Sequence, residues 1–157
     1  MRVGITGHRG LSEEVEERVR ALLSETVKEY DPSELVGVSC IADGPDSWFA
    51  EAVLDHGGRV EVVVPAAEYR DGLPHWHHPT YDRLIHLACD VHETGMTASD
   101  AQAHMTGSEI LVGLVDELLA VWDGKPARGH GGTADVVAYA KRQGTAVRVL
   151  WPEGASR

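Results

Sequence analysis

The sequence predicts an α/β fold: a Rossmann-like, mainly parallel sheet of about six strands with helices on both faces. Two observations predict it. Short β-branched runs alternate with segments of helical periodicity from one end of the chain to the other, so the strand connections are crossovers. Residues 60–64 (VEVVV) are near-continuously apolar, as expected of a strand covered by helices on both faces.

The elements follow in order. Val3-Gly4-Ile5-Thr6 reads as a first strand, and Gly7-His8-Arg9-Gly10 punctuates it. Ser12 then opens a helix whose early Glu13, Glu14, Glu16 and Glu17 suit a positive helix N-terminus. Leu11, Val15, Val19, Leu22, Leu23, Val27 and Tyr30 give that helix one apolar face, and Asp31-Pro32 marks its end. Residues 35–40 (LVGVSC) form the second strand, followed by the turn-rich Ala42-Asp43-Gly44-Pro45-Asp46 and a short helix from about Ser47 to His56, closed by Gly57-Gly58. After the third strand, residues 66–79 show no sustained period and read as a long loop or lid. A short helix over 80–87, a brief strand over 90–94 and a helix from Ser99 to about Leu114 come next. Residues 118–122 (LLAVW) form a strand ending at Asp123-Gly124, residues 133–143 a helix, and residues 147–151 a last strand. The expected organisation is a single domain over 1–152 with a polar tail over 153–157.

Composition narrows the function classes. A net charge of −11, from 25 acidic and 14 basic residues, argues against a nucleic-acid partner, because phosphate-backbone binding rests on Lys and Arg. Cys40 and Cys89 lack CxxC spacing and read as buried thiols of a reducing cytoplasm. The N-terminus carries no secretory-signal pattern, and no apolar run approaches the roughly 20 residues of a membrane span. A cytoplasmic protein is expected.

In an open α/β sheet, ligands bind beyond the carboxyl ends of the strands, where the strand order reverses. That rule selects Gly7-His8-Arg9-Gly10, residues 39–46, Glu93-Thr94-Gly95, and the stretch from Asp123 to Thr133. Gly129-His130-Gly131-Gly132-Thr133 leads straight into a helix, so amides without intrahelical partners converge on one spot with the helix dipole behind them. Arg9 supplies a planar fork for phosphate oxygens. The bland readings are a helix start that needs glycine only for its turn, and an Arg9 that pairs with the acidic first helix. Asp123, Asp43 and Asp46 stand where a carboxylate contacts a ribose hydroxyl, or else serve ordinary turns. Trp122, Tyr69 and Trp76 are candidate stacking partners, with Trp122 expected in the core. His75, His77 and His78 are adjacent without the convergent spacing of a metal site, and no metal is expected. Gly4, Gly7 and Gly10 are not spaced as GxGxxG, and no P-loop motif is present.

Taken in order, Ile5-Thr6-Gly7-His8-Arg9, Asp43-Gly44-Pro45-Asp46, Leu119-Ala120-Val121-Trp122-Asp123-Gly124 and Gly131-Gly132-Thr133-Ala134-Asp135 resemble the SLOG superfamily. That superfamily is similar in fold to the LOG ("Lonely Guy") phosphoribohydrolases and the DNA-processing protein A-like domains. The resemblance implies glycine-rich loops that bind a nucleotide or nucleotide derivative, often in a sensing role, and makes a homo-oligomer a reasonable expectation, with the helix over 99–114 as the candidate contact. LOG enzymes carry PGGxGTxxE, whose glutamate supports N-glycosidic cleavage; here the position three after Thr133 is Val136. The expected site therefore comprises Gly7, His8, Arg9, Gly10, Ser39, Asp43, Gly44, Asp123, Gly124, Gly131, Gly132 and Thr133. It has no assigned catalytic residue, needs no cofactor, and serves a small phosphate-bearing ligand rather than nucleic acid or membrane. The alternatives are a nucleoside monophosphate N-glycosidase, with Asp135, Glu93 or Asp43 replacing the missing glutamate, and an interaction domain without a ligand.

Overall fold

The computed structural model describes residues 1–126 and 132–157. Its strands are β1 (Arg2–Gly7), β2 (Val36–Ser39), β3 (Arg59–Val64), β4 (Asp90–Glu93), β5 (Glu117–Val121) and β6 (Ala146–Val149). Its helices are α1 (Glu13–Val27), α2 (Pro45–His56), α3 (His78–Leu87), α4 (Ala101–Gly113) and α5 (Thr133–Arg142). All recorded strand pairs are parallel, in the order β4-β3-β2-β1-β5-β6. The chain steps outward from β1 to β4 and returns to the other flank of β1 as β5, which puts the reversal of strand order between β1 and β5.

Local chemistry sets these elements. Ser12 caps α1 by accepting from the Val15 amide, and the buried Val15, Val19, Leu23 and Val27 hold its inner face. That helix stops at Val27, short of Asp31-Pro32. Gly57, at φ 97°, ends α2 in the left-handed conformation that favours glycine. Helices α1, α2 and α3 pack as one layer, and α4 and α5 as another. Gly37 faces the first layer: a Cβ there would come within 2.9 Å of Phe49 and Val53 of α2. Gly4 faces the second, where a Cβ would meet Leu111 of α4 at 2.7 Å. The core between the layers is made by Val3, Ile5, Val38, Val60, Val62, Leu118 and Leu119, all at most 2% exposed.

Three expectations change. Residues 66–79 are not a free lid but two single-turn 3₁₀ segments, Arg70–Gly72 and His75–His77, leading into α3. Buried His77 and His78 set that path: His77 Nε2 lies 2.9 Å from the Ile41 carbonyl, and His78 Nε2 lies 2.7 Å from that of Arg70. Cys40 is buried, whereas Cys89 is exposed because it enters β4, the edge strand. Trp122 is only partly buried, since its indole turns outward to donate to the Lys125 carbonyl. Among the described residues no helix is long and apolar enough to cross a membrane.

Candidate functional site

A cleft of about 340 Å³ opens at the carboxyl ends of the strands, where the strand order reverses. Its β5 side is built by His8, Gly132, Thr133, Val136 and Arg157, and its β2 side by Cys40, Ala42, Asp46, Tyr69, His104 and Ser108. Gly7 forms the floor between them. A Cβ there would fall 2.8 Å from Pro45 and 2.9 Å from Val121, so only glycine lets α2 and β5 close on β1.

The β5 side presents backbone donors at the start of α5. Gly132 caps α5 without a side-chain hydrogen bond, and the amides of Asp135 and Val136 turn back to its carbonyl. The preceding amides, of Thr133 and Ala134, point out of the helix end and have no partner among the described residues. The Thr133 side chain is buried against the same opening.

Cations frame this opening, each held by a carboxylate. Arg9 donates to Asp43 Oδ1 through Nε at 3.0 Å and through its terminal nitrogen at 2.6 Å. Burial pulls the Arg9 pKa down, but the hydrogen bond and charge of Asp43 outweigh it and leave it raised. Arg157 lies 2.9 Å from Asp123 Oδ2 through Nε, off the line of a hydrogen bond, and donates to the Pro126 carbonyl. It also lies 3.2 Å from His8 Nδ1. His8 Nε2 lies 3.2 Å from both the Asp123 amide nitrogen and Asp123 Oδ1, so the ring is held against Asp123 on one side and Arg157 on the other. Burial pushes the Asp123 carboxyl up, but the Lys125 amide, His8 and Arg157 outweigh that and leave it below its usual range. Residues 153–157, read as a polar tail, thus fold back over the cleft. Trp151 meets His8 edge-on at 5.7 Å and donates to the Ala155 carbonyl.

The β2 side is organised by a tight loop. Ile41 takes a positive φ of 48°, a strained conformation for a β-branched residue. Ser39 Oγ accepts from the Ile41 amide and donates to the Asp46 carbonyl, and Ser47 Oγ reaches the Ile41 and Ala42 carbonyls. These bonds fix Asp46 in the first turn of α2, facing the cleft. Burial pushes its carboxyl up to about 7, against the opposing pull of the Ala42 amide and Arg9. Burial also pushes the Tyr69 hydroxyl well above its ordinary value, and burial with Arg9 lowers the His104 imidazole.

The expected site residues divide accordingly. Gly7, His8, Arg9, Gly132 and Thr133 line one cleft. Asp43 and Asp123 do not line it; they hold Arg9 and Arg157. Ser39 is fully buried and shapes the loop. Gly10, Gly44 and Gly124, at φ 68°, 98° and 83°, are turn positions outside the lining. Gly131 lies outside the described residues. Glu93-Thr94-Gly95 opens onto a separate cavity, because β4 is at the far edge of the sheet. Tyr69, a candidate stacking partner, lines the cleft from the loop after β3, whereas sequence reasoning missed His104, Ser108 and Arg157, which come from α4 and from the tail. Of the three carboxylates the sequence singles out, Asp46 is the one that lines the cleft, since it follows a strand and opens a helix.

Fold and cleft together define the class: a Rossmann-like domain with a cleft at its switch point, whose fold is the one the sequence resemblance implies. Solved structures with this fold include DNA processing protein A from Streptococcus pneumoniae (TM-score 0.67, 20% identity), matched over 94% of this chain and 49% of its own. DNA processing protein A from Helicobacter pylori, described with a single-stranded DNA binding mode, matches at TM-score 0.69 and 17% identity over 100% of this chain and 66% of its own. The molybdenum cofactor binding protein of Rippkaea orientalis matches at TM-score 0.62 and 14% identity, over 97% of this chain and 77% of its own. This chain thus spans about half to two thirds of the two DNA processing proteins. No protein-family model and no curated protein matches the sequence. The H. pylori protein overturns the exclusion of a nucleic-acid partner. Net charge describes the whole surface, whereas a phosphate meets a local field, and here Arg9, Arg157 and the α5 N-terminus gather at one cleft.

Proposed function

We propose that this protein binds a nucleotide or nucleotide-derived ligand through its phosphate, as a sensor or carrier. The observation that carries the reading is the convergence of the α5 N-terminus, Thr133, Arg9 and Arg157 on one cleft. Backbone amides and guanidinium groups are strong donors to phosphate oxygens, and the cleft volume of about 340 Å³ falls in the range of small-ligand sites. The molybdenum cofactor binding protein and the single-stranded DNA binder of similar fold supply precedents for small-molecule and nucleotide-bearing guests.

Binding is favoured over N-glycosidic hydrolysis. Where the LOG motif has glutamate, Val136 presents an apolar side chain to the cleft. Of the substitutes, Asp43 is committed to Arg9, Glu93 faces the other cavity, and Asp135 is not in the cleft lining. Cleavage requires a carboxylate at the reacting bond, whereas phosphate binding does not.

Thermal unfolding with AMP, GMP, ADP-ribose, NAD and a short 5′-phosphorylated oligodeoxynucleotide tests the reading. Ligands that fit raise the melting temperature with concentration. No shift from any of them at millimolar concentration overturns it, and free base released from AMP or GMP would replace it with the hydrolytic reading.

A further inference from the structure

Away from the cleft, toward the amino ends of the strands, an imidazole and two carboxylates meet on one face of the sheet. The two-residue period of a strand puts Asp90 and His92 on the same side of β4. The parallel register then sets Glu61 of β3 beside Asp90, and Val63 beside His92. His92 Nε2 lies 2.9 Å from Glu61 Oε1 and 3.6 Å from Asp90 Oδ2, and one ligand atom from each of the three residues lies within 4.8 Å of the other two. The histidine run at 75–78 offers nothing comparable, because His77 and His78 turn their Nε2 atoms to backbone carbonyls. Cys89, exposed just before β4, is outside the cluster.

Both carboxylates are braced from behind, as the ligands of metal centres are. Arg2 reaches across from β1 and donates to Glu61 Oε1 at 2.7 Å and to Oε2 at 2.8 Å. The Val91 amide donates to Asp90 Oδ1 at 2.9 Å, which leaves Oδ2 on the His92 side. The Glu61 side chain is only 12% exposed and that of Asp90 is 60% exposed, so the cluster is closed toward β3 and open to water at the sheet edge. Carboxylates only accept, so the proton on His92 Nε2 sits where the two oxygens converge. A tetrahedral ion with bonds of about 2.1 Å holds its ligands about 3.4 Å apart, a spacing between the two that His92 already makes. One nitrogen and two oxygens suit a borderline divalent ion, and are too few oxygens for magnesium or calcium. We propose that Glu61, Asp90 and His92 bind one zinc-type divalent ion, which takes the place of the His92 Nε2 proton and fastens the edge strand β4 to β3. The ring then carries its proton on Nδ1, and water completes the coordination on the open side. The inference is independent of the phosphate reading.

Calorimetry with zinc chloride tests it on the wild type, His92→Gln, Asp90→Asn, His75→Gln and Cys89→Ser, and magnesium chloride serves as the oxygen-seeking comparison. The wild type is expected to take up one zinc ion per chain, with a melting temperature that rises with zinc concentration. His92→Gln and Asp90→Asn each weaken zinc by about ten-fold or more, the loss typical of altering a metal centre. His75→Gln and Cys89→Ser hold zinc affinity within about two-fold, as surface substitutions away from the ion should. Circular dichroism of each variant reports its folding, and the exposed Asp90 supplies a second variant should His92→Gln fail to fold. No uptake at millimolar zinc overturns the inference. So does zinc affinity that survives both ligand substitutions or that is lost in His75→Gln or Cys89→Ser. Magnesium binding as tight as zinc also overturns it, by reducing the cluster to an acidic patch.

Discussion

Two cavities lie at the carboxyl ends of this sheet, and the larger is the poorer candidate site. The cavity beside β4 measures about 680 Å³ against about 340 Å³ for the switch-point cleft. Its walls are Val64, Ala66, Tyr81, Ile85 and Val91, with the exposed Arg70–Asp82 pair at 2.7 Å. Helix α3 turns its flank to that cavity, so helical amides are already bonded within it. The cleft instead receives two helix N-termini, a strained loop and two arginines. In a doubly wound sheet, chemistry collects where neighbouring strands send their crossovers to opposite faces, and volume is a poor guide to it.

The contrast can be broken or sharpened by substitution. The largest effect is expected from Asp46→Asn. Its carboxyl titrates from 3.8 in the ordinary state to about 7 in the fold, so the folded protein holds the extra proton and stability falls as pH rises between those values. Arg9 and the Ala42 amide oppose the rise and Asp43 adds to it, while Tyr69 and Cys40 share the surroundings. Above pH 7 the neutral amide should stabilise the protein by roughly 2–4 kcal/mol, an advantage absent near pH 4. Urea denaturation at pH 4, 6 and 8 reads this directly, and a pH-independent difference refutes it.

Gly7→Ala comes next. Its Cβ would press on Pro45 and Val121, neither of which can swing aside, at a cost of about 2 kcal/mol and a melting temperature lower by roughly 4–8 °C. Gly95→Ala, beside the other cavity, meets open space and pays only for its φ of 85°, about 1 kcal/mol. Equal losses at the two positions would erase the difference in packing. Arg9→Ala or Arg157→Ala should then weaken the nucleotide that raises the melting temperature most by about ten-fold in calorimetry, with a shallower salt dependence. Arg70→Ala is the smallest: an exposed pair contributes at most about 1 kcal/mol to stability, and ligand affinity should stay within two-fold. A binding loss at Arg70 matching that at Arg9 would move the site to the wrong cavity.

Periodicity made the order and type of the strands and main helices readable, because Val60–Val64 and the Val15, Val19, Leu23 and Val27 stripe bury in the way their spacing demands. Gly7, His8, Arg9, Gly132 and Thr133 were legible because strand-to-helix glycine turns are local signals. Residues 66–79 were not, since their path depends on His77 and His78 reaching carbonyls through tertiary contacts. Arg157 escaped for the same reason: it sits 34 residues from Asp123, and no local pattern announces that pairing. Asp43 and Asp123 were assigned to sugar and instead orient cations. An aspartate next to a glycine turn looks the same in sequence whichever partner its carboxylate finds.

The pairing of Arg9 with Asp43 and of Arg157 with Asp123 carries a consequence for selectivity by charge number. Each guanidinium is already paired with an internal carboxylate, so on the proposed reading an anionic guest competes with that carboxylate for part of the guanidinium's donors. Exchange of that kind rewards a doubly ionised phosphomonoester over a singly ionised diester, whether the monoester belongs to a free metabolite or to the end of a strand. On the same reading Asp43 and Asp123 remain beside the guest as fixed negative charges that keep its residence short.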